Sequence, residues 1–256
     1  MRLGACTSLE KVTAAFDGLD YIESTAADVT CPLNDDAAFG QRLAIIRACP
    51  VPVEAINILL PAQMKTTGPD VDQANLDAYM RLVLERAGIA GVKVIVYGAG
   101  KSRLVPEGFD HAQAGEQVVG HLARWSEIAA RKGIAICLEP LNKAECNIVN
   151  TVDEATGLVR RAGDAARLLV DTYHMAKDND PPEAIVRARG LIAHAHCAES
   201  DGRGPLGTRG EDHRPYFQAL KAAGYDGRLS IEANWVDVQR QLPSALAETR
   251  LQWETA

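Results

Sequence analysis

Four side chains in this sequence stand where acid–base and metal chemistry would want them. Glu139 closes the apolar run Ile134-Ala-Ile-Cys-Leu-Glu139, and Asp171 closes Leu168-Leu-Val-Asp171. His196 ends Ile192-Ala-His-Ala-His196, and Glu232 ends Leu229-Ser-Ile-Glu232. Each run has the length and composition of a buried strand, and a turn or polar loop follows it. Two glutamates, one aspartate and one histidine make an oxygen-rich set suited to one divalent ion, Mn²⁺, Mg²⁺ or Co²⁺. Buried carboxylates without partners are costly, and a cation at their meeting point offsets that cost.

The elements that must bring these ends together can be read in order. Strands are expected at Leu3–Cys6, Asp20–Glu23, Val53–Asn57 and Gly91–Tyr97, then in the four runs above. Helical patterns lie between them: Leu9–Phe16, Asp35–Ala48, Asp70–Ala87, His111–Lys132, Val152–Arg161, Pro181–Arg189 and His213–Ala223. A last one, Val236–Trp253, closes the chain. Gly133 stands where a helix C-terminus favours glycine. Strand and helix thus alternate eight times, with no linker, low-complexity tract or charge block between them. That pattern predicts an α/β fold, a (β/α)₈ TIM barrel forming a single domain over residues 1–256. A doubly wound sheet is the alternative, but it would not bring eight strand ends around one centre. In a barrel, the ends of strands five to eight converge at the C-terminal mouth, where catalysis is done.

Composition narrows the class of partner. A chain of 256 residues that is 47% hydrophobic can bury one large core. Its formal net charge of −7, with no Lys or Arg run, argues against nucleic acid as a partner. The opening Met1-Arg-Leu-Gly-Ala-Cys6 is too polar for a signal peptide, and no apolar run is long enough to span a bilayer. No membrane partner is expected, and the expected location is cytoplasmic. The six cysteines follow neither a disulfide nor a metal spacing and read as reduced thiols. Cys6, Cys137 and Cys197 lie in apolar runs, where packing is the plainer role.

Several stretches together resemble the xylose isomerase-like TIM barrel superfamily. They are Leu138-Glu139-Pro-Leu-Asn142, Asp171-Thr-Tyr-His174, His194-Ala-His196-Cys-Ala-Glu199 and Gly224-Tyr-Asp-Gly-Arg-Leu-Ser-Ile-Glu232. Within it the chain looks most like the sugar isomerase/epimerase branch of the D-tagatose 3-epimerase type. The resemblance implies that Glu139, Asp171, His196 and Glu232 hold one divalent metal. It also implies that Glu145, His174 and Arg203 contact substrate oxygens. Glu139 and Glu232 would double as the catalytic acid and base of a metal-dependent epimerase or isomerase. The substrate would be a small keto sugar or polyol-derived ketone, reacting through an enediolate, with 3-epimerisation favoured. Aldose–ketose or hydroxypyruvate-type isomerisation and inosose-type dehydration remain alternatives on the same site, because fold does not fix reaction. An abasic-site endonuclease would need further histidines at early strand ends, where Asn57 and Tyr97 stand instead. The oligomeric state stays open, with pairing through loops or outer helices common in the family.

Other residues carry two readings each. His194 is expected to be structural, turned toward the helices on the opposite side of its strand from His196. Lys101 and Arg103, after Gly98-Ala-Gly100, either clamp a phosphate or carboxylate or form a flexible basic loop. Tyr21, Glu23 and Asn57 end early strands and either line the pocket or serve the core.

Overall fold

The computed structural model describes residues 1–12 and 16–256. Its eight strands are β1 Arg2–Cys6, β2 Tyr21–Thr25, β3 Val53–Asn57, β4 Val94–Tyr97, β5 Ala135–Leu138, β6 Arg167–Asp171, β7 Ile192–Cys197 and β8 Arg228–Ile231. Each pairs in parallel with the next, and β1 pairs with β8 to close the barrel. The expected barrel and strand order are therefore borne out.

The sequence also sets where the outer helices begin. Asp35, Asp72, Asp110, Thr151 and Asp237 each accept a backbone N–H from the first turn of the helix they precede. Such caps satisfy donors that the helix itself cannot. The helices Asp36–Ala48, Gln73–Ala90, His111–Ala130, Val152–Ala162, Arg214–Ala222 and Val238–Thr255 lie within a few residues of expectation. Short helices at Ala26–Thr30 and Gly100–Arg103 stand where loops were expected, and two of the expected helical stretches differ. The helix expected over Leu9–Phe16 is a single 3₁₀ turn, Leu9–Lys11, and residues 13–15 of that stretch lie outside the described residues. The segment after β6 holds an unforeseen helix, Thr172–Asp178, before a shorter one at Glu183–Arg187. No helix among the described residues is long and apolar enough to cross a membrane.

Alternation along the strands builds two apolar layers. Ile22, Ile56, Ile95, Ile136 and Leu168 belong to the large core between strands and helices. Tyr21, Ala55, Val94, Val96, Cys137 and Leu169 form a small cluster inside the barrel. There the Tyr21 ring lies over Gly4, where an added Cβ would come within 2.3 Å of it. Small residues at positions 4 and 55 thus make room for one aromatic ring, and the barrel is filled from below up to its mouth.

Candidate metal and substrate site

At that mouth the four donors meet. Glu139 directly follows β5, and its backbone N–H donates to the Tyr97 carbonyl at 3.2 Å. Its side chain passes Gly98 so closely that a Cβ there would lie 2.1 Å from Glu139 Oε2. Any side chain at position 98 would force the Glu139 carboxylate to move. Asp171 ends β6; its Oδ1 accepts the Tyr173 backbone N–H at 2.8 Å, which caps the unforeseen helix. The second oxygen, Oδ2, is left pointing into the mouth. His196 lies opposite Asp171 in the strand register. Glu232 follows β8, with Oε1 accepting from Asn57 Nδ2 at 2.7 Å and Oε2 bound by Arg203 Nη2.

One donor atom from each of Glu139, Asp171, His196 and Glu232 lies within 4.8 Å of the others. His196 Nδ1 is 3.5 Å from Glu139 Oε1 and 3.3 Å from Glu232 Oε2. Glu139 Oε1, Asp171 Oδ2 and His196 Nδ1 are buried without a hydrogen-bond partner. Orphaned buried polar atoms of this kind are rare in folded proteins. Three aimed at one point, all of them metal donors, fit a divalent cation.

The charges are distributed unevenly. Burial raises the Glu139 carboxyl and lifts Asp171 to about 6. Glu232 is held at about 2, because the charge and hydrogen bond of His196, together with Arg203, outweigh its burial. Burial also works against a charged His196, yet Glu23 and Glu232 raise it well above the usual imidazole range. A proton on that ring therefore stands where a cation would neutralise the cluster.

Beneath the cluster lies a network that the sequence reading only partly foresaw. Glu23 is fully buried; its Oε1 faces His196 Nε2 at 3.0 Å and its Oε2 faces His194 Nε2 at 2.7 Å. Ser230 Oγ donates to the same carboxylate at 2.6 Å and meets Tyr21 OH at 2.7 Å. His194 is thus not turned to the helices. Residues two apart on a strand share a face, and both histidines point into the barrel. Glu23 and Tyr21 take the interior reading, and Asn57 takes the pocket reading.

The three expected substrate residues surround the same mouth. His174, buried on the unforeseen helix, accepts at Nδ1 from Asn142 N at 3.1 Å and faces Asn142 Nδ2 at 2.8 Å. That arrangement leaves Nε2 carrying the proton, 3.5 Å from Asp171 Oδ2 and without a hydrogen-bond partner. Burial lowers His174 and keeps the ring neutral. Arg203 stacks over the Tyr173 ring at 4.4 Å and lies 3.6 Å from both Asp171 Oδ2 and Glu145 Oε1. Its backbone takes a φ of 52°, held by Asn234 N donating to its carbonyl at 2.7 Å. The loop carrying Arg203 winds around the buried Glu199 carboxylate, which accepts the N–H groups of Gly207, Arg209, Gly210 and Glu211.

Of the two basic residues after β4, Arg103 takes neither expected role. It is fully buried and donates to the carbonyls of Tyr97 at 2.9 Å and Glu139 at 2.8 Å, tying β4 to the start of the Glu139 loop. Lys101 is exposed and lines the mouth. A cavity of about 300 Å³ opens there, lined by Glu139, Glu145, His174, Arg203 and Glu232. A second, of about 320 Å³, adjoins it across Asn57, Arg203 and Glu232 and reaches Cys6, Ser24 and Asp28.

The chain is 38% identical over 114 residues to an L-ribulose 3-epimerase of Mesorhizobium japonicum, covering 44% of this chain and 38% of that one. It is 36% identical over 117 residues to an L-ribulose 3-epimerase of Methylomonas, covering 45% and 41%. These matches span well under two thirds of either relative's length. A solved D-psicose 3-epimerase of Clostridium cellulolyticum, with D-tagatose, superposes with a TM-score of 0.82 over 99% of both chains at 21% identity, which shows the shared fold. The family model described as xylose isomerase-like TIM barrel matches residues 17–253. With nearly the whole barrel matched, this chain belongs to the xylose isomerase-like TIM barrels.

Proposed function

We propose that the protein is a divalent-metal-dependent ketose 3-epimerase. The observation that carries this reading is the pair of glutamates, Glu139 and Glu232, set on non-adjacent strands around one group of unsatisfied donors. They also titrate in opposite directions, Glu139 upward and Glu232 downward. A pair of carboxyls pushed apart in this way is the mark of an acid and a base. The 3-epimerase relatives favour this outcome over isomerisation or dehydration.

Glu139, Asp171, His196 and Glu232 would hold the ion, with Mn²⁺, Mg²⁺ or Co²⁺ matching their chemistry. When bound, such an ion supplies Lewis acidity toward the ketone and the neighbouring hydroxyl. The rest follows from side chains. The Glu232 carboxylate takes the proton from C3, and the C–H electron pair moves into the C2–C3 bond as the C2 carbonyl becomes an enediolate oxygen. The Glu139 carboxyl then returns a proton to the opposite face of C3, and the carbonyl re-forms with that centre inverted. His174 Nε2–H and the Arg203 guanidinium donate to substrate oxygens where negative charge develops, which lowers the barrier. Glu145, beside Arg203, would accept from a substrate hydroxyl.

The test is turnover on a panel of ketopentoses and ketohexoses, with metal-free protein and after adding Mn²⁺. Metal-restored interconversion of C3 epimers supports the reading. Turnover to aldoses alone, or to a dehydrated product, would overturn it.

A further inference from the structure

Cys6 ends β1 two positions after Gly4, and residues two apart on a strand share a face. Gly4 faces the Tyr21 ring inside the barrel, so Cys6 also points inward, one layer nearer the mouth. Barrel closure sets Ala5 opposite Ile231, which brings Cys6 beside Glu232. The Cys6 sulfur, a ring nitrogen of His196 and a carboxylate oxygen of Glu232 lie within 4.8 Å of one another. His196 is fully buried, and its Nδ1 has no hydrogen-bond partner. Cys6 does not fill the packing role expected from sequence. It is partly exposed and lines the second cavity, open to an incoming ion.

We propose that Cys6, His196 and Glu232 form a second, softer cation site that takes a thiophilic ion such as Zn²⁺ or Cd²⁺. A sulfur, an imidazole nitrogen and a carboxylate oxygen, with a fourth position open to the cavity, make a tetrahedral donor set of the kind zinc takes. The set completed by Glu139 and Asp171 instead has three carboxylates and one nitrogen, which suits harder ions. The two sites share His196 and Glu232. His196 Nε2 is engaged with Glu23 at 3.0 Å, so only Nδ1 is available, and it can serve one ion at a time. Occupancy of the sites is therefore mutually exclusive. On binding, the thiol proton passes to water and the sulfur takes the ion. A thiophilic ion held there keeps the ion of the four-residue centre from its shared ligands His196 and Glu232, so it acts as an inhibitor. That last consequence rests on the proposed function; sulfur ligation itself does not.

The experiment titrates metal-free protein with Cd²⁺ and follows the sulfur-to-metal charge-transfer absorption, in wild type and in Cys6→Ser and Cys6→Ala. The expected result is a band that saturates at one Cd²⁺ per chain in wild type and is absent from both variants at unchanged thermal unfolding. A band missing from wild type, or persisting in the variants, overturns the site. A second arm loads wild type with Mn²⁺, follows the bound ion by electron paramagnetic resonance, and adds Cd²⁺. One-for-one release of Mn²⁺ is expected, and Mn²⁺ retained beside a saturated sulfur band overturns the overlap. If Mn²⁺ does not bind at all, the four-residue centre fails, while the sulfur band still decides this site.

Discussion

Glu23 Oε1 and His196 Nε2 face each other 3.0 Å apart inside the barrel, and the other nitrogen of that ring points up into the carboxylate cluster. One buried carboxylate therefore fixes which nitrogen of His196 is presented to the mouth. Partners of this kind orient metal-ligating histidines and raise their basicity. Glu23→Gln keeps the shape but places an amide N–H₂ against one of the two rings. Metal affinity is expected to fall by about 10- to 100-fold, the usual worth of such a contact. Calorimetric titration of metal-free protein with Mn²⁺ reads it; affinity unchanged within twofold would remove this role from Glu23.

Metal binding is expected to weaken as the medium becomes acidic. Burial raises Glu139 and lifts Asp171 to about 6; His196 is raised by Glu23 and Glu232 against the effect of its burial. Asp171 and His196 must each lose a proton before they can ligate, so lowering pH through that range makes protons compete with the ion. The apparent affinity should fall by about tenfold per pH unit for each proton displaced. Titrations at several pH values, in two buffers of different ionisation enthalpy, count the protons released. Affinity independent of pH between 5 and 8 would contradict the assignment of these ligands.

Gly98→Ala should disable the site while leaving the barrel standing. The new Cβ would lie 2.1 Å from Glu139 Oε2, so the carboxylate must move. Overpacking of this kind costs about 1–3 kcal/mol of stability, which a thermal melt resolves. The larger expected effect is loss of both Mn²⁺ affinity and turnover. A variant with normal metal content and normal kinetics would show that Glu139 does not need its present position.

Arg203→Ala should damage catalysis and spare the metal. Arg203 touches Glu232, Asp171 and Glu145 but offers no donor atom to a cation. Loss of a charge-assisted contact to a substrate oxygen should cost on the order of 1.5–3 kcal/mol in kcat/KM. Metal content, read by elemental analysis, should match wild type or exceed it, since a competing positive charge is gone. Wild-type kinetics would return Arg203 to a role in the loop alone.

The barrel was legible because its signals are local. Apolar runs ending in a carboxylate or imidazole mark the strand ends, and Asp or Thr caps mark the helix starts. What escaped depends on contacts distant in sequence. Glu23 and His194 are 171 positions apart, and nothing near Glu23 announces that it lies beneath the carboxylate cluster. For His194 the signal was present in the two-residue strand period, which places it on the same face as His196. Arg103 reads as a basic loop residue until its burial and its two carbonyl acceptors are seen. The helix Thr172–Asp178 is only seven residues long and ends at Asn179 with a φ of 55°, so it offers no lasting apolar period. Yet it is the helix that carries His174 into the site.

The most direct test of the account is turnover in D₂O. If Glu232 removes a proton from C3 and Glu139 returns one, the returning proton has exchanged with solvent. The product epimer should then carry deuterium at C3, with the carbons on either side unlabelled. Glu232→Gln, saturated with metal, should slow the incorporation by roughly 10²- to 10⁴-fold, the worth of a positioned acid–base group. NMR of the isolated product reads the position of the label. Deuterium at C3 is the expected result; epimerised product with no deuterium at any carbon next to the carbonyl would contradict proton transfer through these two glutamates.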